Sequence, residues 1–319
     1  MAKGICMFFV IVSHTGYVDV WLGSFFRPFF LSTFFFVSGL FFINAKVRER
    51  RCLSKAADLF FSLVLPYVVY WAISFAVEQL LLHNYLFFDD LALGIIGGRK
   101  LWFVSALIVA EYCALMWFAL VRPNRVTVVI LMVLCLLIHF IIPKGNYPWF
   151  VDAAPLACFY LTLGMLIRTY FEKYLALLSN DKVGIVAAVI FIGMVVADSL
   201  FEINRGAFHE SFTCYPFFFL ESFVSIHVCL YTCTKIRTAW LKRCLMFMGL
   251  YSLLYYFFQN QALHITKRLG TILLIDSPNA LYALLSALIV AVVLIIPIVI
   301  VNRYIPVMTG KWRPYKAQN

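Results

Sequence analysis

Residues 3–14 read K-G-I-C-M-F-F-V-I-V-S-H, an apolar run with a lysine at its head and a histidine at its foot. An ionisable side chain set in lipid is costly, so a histidine deep in such a run reads as functional. If the stretch is helical, the eleven-residue step from Lys3 to His14 is about three turns, and both side chains project from nearly one face. At a rise of about 1.5 Å per residue they stand roughly 16 Å apart along the axis. A cation at the membrane surface and a base well below it, on one stripe, suit a ligand that reaches through that depth.

The rest of the chain continues in the same character. Its 319 residues are 64% hydrophobic and only 13% charged, with a mean hydropathy of +0.93. A soluble domain has about a quarter of its residues charged, so most of this surface meets lipid. The fold class expected is all-α, a polytopic membrane protein with about ten transmembrane helices. The runs are 4–22, 26–44, 59–82, 101–120, 126–143, 149–170, 183–201, 212–234, 245–264 and 280–302. No polar stretch between them is long enough to fold alone, so residues 1–319 read as one integral-membrane domain. No A-x-A-like cleavage site follows the first run, which therefore reads as a retained span rather than a signal peptide.

Ten spans put both termini on one side. Nineteen of the 26 Lys and Arg residues then fall on that side and seven on the other. The basic side is cytoplasmic by the positive-inside rule, so both termini are expected inside. The net charge of +11 belongs mostly to that face and to contact with anionic membrane lipids. Nucleic acid is excluded as a partner because no soluble basic domain is there to hold it. The nine cysteines lie mostly in apolar runs, without Cys-x-x-Cys or Cys/His metal spacing, so neither a disulfide framework nor a metal is indicated.

Few ionisable residues lie well inside the runs. His14 is foremost: burial disfavours the imidazolium, and a neutral imidazole is a general base towards a hydroxyl group. A histidine that bridges helices through hydrogen bonds is the other reading. Glu111, midway along W-F-V-S-A-L-I-V-A-E-Y, either orients His14, binds a sugar hydroxyl or makes a polar contact between helices. Arg27, just before Pro28, binds an anionic or sugar group from outside or snorkels to the headgroups. Arg99 and Lys100 precede Trp102 at an outer interface, where tryptophan anchors. The run K-V-R-E-R-R, residues 46–51, is dense enough to bind phosphates through Arg48 and Arg51, although topology alone also explains it. Glu221 and His227, six residues apart, fall on different helix faces and make a weak dyad.

Several motifs, in this order, resemble the acyltransferase-3 family of multi-pass membrane acyltransferases. Lys3 to His14 resembles the family's basic-x10-His pattern. Phe34, Phe35, Ser38 and Gly39 resemble its P-x-F-F-x-x-S-G segment, with Ser32 in place of the proline. L-W-F-V-S-A-L (101–107) and F-Y-L-T-L-G-M-L-I (159–167) resemble two later spans. Arg48 and Arg51 meet a basic R-x-x-R, and S-L-L-Y-Y-F-F-Q (252–259) resembles a segment that often ends in histidine, here Gln259. Lysine stands at a position often arginine, which forgoes bidentate phosphate geometry. Members usually carry a short cytoplasmic lead with an acid before the basic residue, whereas here Lys3 follows Met1 and Ala2 directly.

The resemblance implies transfer of an acyl group, usually acetyl from cytoplasmic acetyl-CoA, to a hydroxyl of a cell-surface or lipid-linked glycan at a bacterial inner membrane. His14, with Glu111, would carry the chemistry. Lys3, Arg48 and Arg51 would hold the phosphates of acyl-CoA, and Arg27, Arg99 and Trp102 would face the glycan acceptor. Some members have an additional soluble domain, so this chain would act alone or with a separate extracytoplasmic partner. A glycan or lipid transporter or flippase is the rival: buried carboxylates and many spans suit it, and the missing internal repeat counts against it.

Overall fold

The computed structural model describes residues 1–49, 51–80, 94, 96–98, 101–145, 147–204, 206, 208, 211–273 and 279–312. Every regular element among them is a helix. In chain order these are α1 (Ala2–Ser13), α2 (Val20–Phe26), α3 (Phe30–Leu40), α4 (Ala45–Arg48), α5 (Cys52–Leu59), α6 (Leu65–Leu80), α7 (Trp102–Leu120) and α8 (Arg125–Ile141). There follow α9 (Ala154–Arg168), α10 (Phe171–Ser179), α11 (Asp181–Phe201), α12 (Tyr215–Lys235), α13 (Ala239–Leu250), α14 (Ser252–Ile272), α15 (Ala280–Val293) and α16 (Ile295–Tyr304).

Seven helical stretches among the described residues, rather than ten, are long and apolar enough to cross a bilayer: Val20–Leu40, Cys52–Ala76, Trp102–Leu120, Pro148–Arg168, Asp181–Phe201, Tyr215–Lys235 and Ala280–Tyr304. The shortfall has local causes. The expected run 4–22 breaks after Ser13, and 245–264 is divided at Tyr251 between α13 and α14. The run 126–143 forms a 17-residue helix, α8, about 26 Å long.

Two compact units emerge. The first comprises Met1–Val37, Tyr170–Ala207 and Ser211–Ile300. Its central post is α1, which packs on α12, α13, α14 and α15. Lipid supplies no hydrophobic force between helices, so close contact through small residues takes over. A Cβ on Gly4 would lie 2.0 Å from the Leu245 carbonyl oxygen of α13, and one on Gly249 would lie 3.1 Å from the Gly4 nitrogen. On α15 the buried positions Ala283, Ser286, Ala287 and Val290 recur at helical spacing, while Leu281, Leu285, Leu288 and Val292 stay exposed. Helices α11 and α12 run antiparallel: Asp181 pairs with Lys235 and accepts from the Tyr231 hydroxyl at 3.1 Å.

The second unit comprises Ser38–Thr169, Phe208–Glu210 and Val301–Asn319. Here α9 packs on α7 and α8, and α5 packs on α7. Gly39 permits the same close approach: its Cβ would sit 1.9 Å from the Leu161 carbonyl of α9. Between α5 and α6 lies a π-helical turn, Phe60–Val64. Pro66 explains it. Proline has no N–H to give the Ser62 carbonyl four residues back, so the helix widens there. Gly310, in the left-handed region at φ +67°, brings its Cα close to that same Ser62 carbonyl.

Candidate active site

Helix α1 stops where polar residues recapture its last carbonyls. Ser13 Oγ donates to the Val10 carbonyl at 2.7 Å, and Thr15 Oγ1 donates to that of Val12 at 2.8 Å. Gly16 then turns the chain at φ +86°. His14 is consequently the helix C-cap and not, as the run 4–22 implied, a mid-helix residue. Twelve helical residues cover about 18 Å, well short of a hydrocarbon core of about 30 Å.

The ring of His14 is half-buried, and its Nδ1 lies 2.7 Å from the Val10 carbonyl oxygen and 3.1 Å from Ser13 Oγ. A carbonyl oxygen only accepts, so this bond assigns the hydrogen to Nδ1. In the neutral ring Nε2 then holds the lone pair. The backbone beyond His14 is fastened to α14 and α15. The Tyr17 carbonyl accepts from Asn279 N at 2.9 Å, the Tyr17 ring meets Tyr282 edge-on at 4.7 Å, and the Tyr282 hydroxyl donates to the Thr266 carbonyl at 2.6 Å.

At the other end of α1, Lys3 Nζ lies 4.6 Å above the Phe34 ring. Alongside, α14 presents Gln259, 1% exposed, whose amide oxygen has no hydrogen-bond partner. Helix α14 begins just after Gly249, which touches Gly4, and brings Lys267 to Gly16. Gln259 therefore stands part-way between the lysine and histidine ends of α1, about 12 Å before Lys267 along its own helix. A smaller cavity of about 260 Å³ borders Ile5 and Phe9. Those positions lie about 120–180° round α1 from the Lys3–His14 stripe, so that cavity belongs to the opposite face. Arg27, in the turn between α2 and α3, folds its guanidinium over Gly23, whose Cβ would come within 2.7 Å of it.

The second unit holds the other expected residues. Arg48 is exposed on α4, and Arg51 pairs with Glu49 at 2.5 Å with both side chains more than half exposed. Such a pair is worth about 0–1 kcal/mol and yields readily to a better anion. Glu111 is half-buried on α7. Trp102 is not a solitary anchor: its ring meets Phe103, Phe150 and Phe208 at 6.2–6.3 Å. Arg99 lies outside the described residues. Just before it, Tyr67 Oη donates to the Gly94 carbonyl, Trp149 Nε1 to that of Ile96, and Ser105 Oγ to that of Gly98. Of the expected residues, then, Lys3, His14 and Arg27 belong to the first unit, and Arg48, Arg51, Trp102 and Glu111 to the second.

The family model described as an acyltransferase domain matches residues 1–301, nearly the whole chain. The chain belongs to the acyltransferase-3 family. No curated protein matches it, and neither does any solved structure.

For an acyltransferase-3 chain, the parts that motif reading misses are those that act on His14 and Lys3 from elsewhere. The Val10 carbonyl that orients the imidazole is a backbone atom and leaves no mark in the sequence. Phe34 belongs to the F-F-x-x-S-G segment, yet only packing shows its ring beneath the Lys3 ammonium. Gln259 stands out in the sequence as a polar residue in an aromatic run, yet only packing shows its oxygen buried and unmet.

Proposed function

We propose that the chain is an O-acetyltransferase that moves acetyl from cytoplasmic acetyl-CoA to a hydroxyl of a cell-surface or lipid-linked glycan at a bacterial inner membrane, with both termini cytoplasmic. The observation that carries this reading is the Nδ1 bond of His14 to Val10, which puts the lone pair of the neutral ring on Nε2. The acceptor hydroxyl gives its proton to Nε2 as its oxygen bonds to the thioester carbonyl carbon. The C–S bond breaks, and the departing CoA thiolate takes the proton back from the imidazolium. Binding at Nδ1 fixes the ring against rotation, so the base is pre-positioned.

Lys3 supports the donor end. Its charge lies over the Phe34 face at the donor end, and Arg48 and Arg51 give the second unit a basic surface able to bind phosphate. The unmet amide oxygen of Gln259 would accept from a hydroxyl of the acceptor. Glu111, Arg27, Arg99 and Trp102 are proposed to contribute on the acceptor side, and the chain works alone or with a separate extracytoplasmic partner.

The test is purified protein with labelled acetyl-CoA and glycan acceptor, alongside His14→Ala in a strain lacking the gene. Loss of label transfer and of glycan acetylation at normal protein level is expected. Unchanged acetylation would sink the assignment. Intact acetyl-CoA in the presence of the wild-type protein and acceptor would turn the reading towards a transporter.

A further inference from the structure

Helices α11 and α12 carry two buried carboxylates that take no part in the proposed acetyl transfer. Asp198, in the last turn of α11, and Glu221, on α12, are 5% and 1% exposed. Measured from the Asp181–Lys235 pair at the other end of these helices, Asp198 stands about 26 Å along α11 and Glu221 about 21 Å along α12. In height they are therefore about one helical turn apart. They also stand on facing stripes. Asp198 follows Phe191 by two turns, Glu221 precedes Ser225 by one, and Phe191 and Ser225 border the same cavity of about 260 Å³. Asp198 is near enough for its charge to act on Glu221. Among the described residues, no lysine, arginine or histidine forms an ion pair with either carboxylate.

Two carboxylates so placed repel each other, and buried charge persists only when it is paired. A third oxygen group joins them. Asn204, 7% exposed, donates its backbone N–H to Asp198 Oδ1 at 2.7 Å. Its side-chain Oδ1, only a few bonds from that nitrogen, is buried with no hydrogen-bond partner, and so is Glu221 Oε1. Unmet acceptors beside two like charges call for a cation. The donor set is all oxygen, which selects a hard ion. The carbonyl end of α11 adds the negative pole of its dipole. A doubly charged ion balances both carboxylates, where a sodium ion leaves one uncompensated. Mg²⁺ dehydrates reluctantly and keeps several waters, whereas Ca²⁺ takes about six to eight oxygens in flexible geometry, with carboxylates binding through one oxygen or two.

We propose that Asp198, Glu221 and Asn204 Oδ1 bind one Ca²⁺ ion, which ties the end of α11 to α12. The readout is ion binding and does not depend on acyl transfer. Detergent-purified full-length protein, stripped with a chelator, would be titrated with radiolabelled calcium in equilibrium dialysis, with Mg²⁺ and Na⁺ as competitors. Wild type is expected to bind one Ca²⁺ per chain and to melt at a higher temperature with it. Glu221→Gln keeps the side-chain shape and removes one ligand charge. Its calcium affinity should fall by at least the roughly tenfold that even an outer-shell partner contributes. Without calcium the same variant should melt above wild type, because the repulsion between the carboxylates is gone, and this keeps the test readable as to folding. Asn204→Ala should weaken binding as well, while Asp181→Asn, at the far end of α11, should leave it unchanged. No calcium uptake by wild type, the result if a proton on Glu221 satisfies the pair, would overturn the proposal. Wild-type affinity in a folded Glu221→Gln protein, or displacement of the bound calcium by an equal concentration of Mg²⁺ or Na⁺, would overturn it too.

Discussion

The Nδ1 of His14 lies 2.7 Å from the carbonyl oxygen of Val10, one helical turn back on α1. The two are linked as a consequence of where the helix ends: at the C-cap a ring can fold back on a carbonyl of the last turn, which interior helical bonding would occupy. General-base catalysis contributes about 10²–10⁴-fold, so His14→Gln is expected to lower the acetyl-transfer rate by at least about 100-fold with protein level unchanged. Ser13→Ala removes a neighbour of Nδ1 and leaves the Val10 bond in place; its loss should stay within about tenfold, the worth of one hydrogen bond. Radiolabel transfer by the two purified variants checks both.

Lys3 acts on the donor if the proposed function holds. Lys3→Met removes a charged hydrogen-bond donor, worth about 1.5–3 kcal/mol, and should raise KM for acetyl-CoA by about tenfold or more while kcat changes little. Lys3→Arg should stay near wild type. A kcat loss with unchanged KM would place Lys3 elsewhere in the reaction.

Gly4 and Gly193 make a contrast in stability. Any side chain at Gly4 strikes the Leu245 carbonyl, so Gly4→Val should cost about 1–3 kcal/mol or more and lower the melting temperature. Nothing lies within 4 Å of a Cβ at Gly193, and Gly193→Ala should be neutral or stabilise α11 by up to about 1 kcal/mol. Thermal melting in detergent distinguishes the two.

Tyr282→Phe keeps the edge-on contact with Tyr17 and loses the 2.6 Å bond to the Thr266 carbonyl. The expected cost is about 1 kcal/mol. Because this bond helps to fasten the segment after His14, acetyl transfer should fall more than in a variant of equal stability loss within the second unit, such as Tyr67→Phe.

Lys144, between α8 and α9, donates to the Asp152 carbonyl oxygen at 2.7 Å and lies 3.2 Å from His139 Nδ1. Burial lowers its pKa below the usual lysine value, and the Asp152 carboxylate offsets part of that shift. The unfolded chain thus binds this proton more tightly than the folded one, so stability rises with pH between the folded value and about 10.4. Melting temperature should climb as pH approaches that limit, and Lys144→Met should remove this climb. An equal slope in the variant would refute the burial effect.

Much of the helical layout is visible in hydropathy. The expected runs 101–120 and 183–201 match Trp102–Leu120 and Asp181–Phe201 within two residues, because a long apolar stretch satisfies its backbone in lipid only as a helix. Pro66 likewise signals a disturbed helix ahead of it. The break after Ser13 was also written locally, in S-H-T-G, but the apolar residues on either side outweighed it. Family membership rested on motif order and on the Lys3–His14 spacing, and the match over residues 1–301 agrees with it.

Hydropathy, then, determined on its own that this is an all-helical membrane chain, and the order of its motifs carried the resemblance to the acyltransferase-3 family that singled out His14 as the expected base, since hydropathy and residue spacing are properties of neighbours in sequence. Tertiary structure decided that α1 is a short post enclosed by α12 to α15, that Gly4 meets Leu245, that Gln259 is buried with its oxygen unmet, and that His14 bonds Val10 through Nδ1. Most of those facts depend on which distant segments come within a few ångströms of each other. The last depends on the residue at which a helix stops.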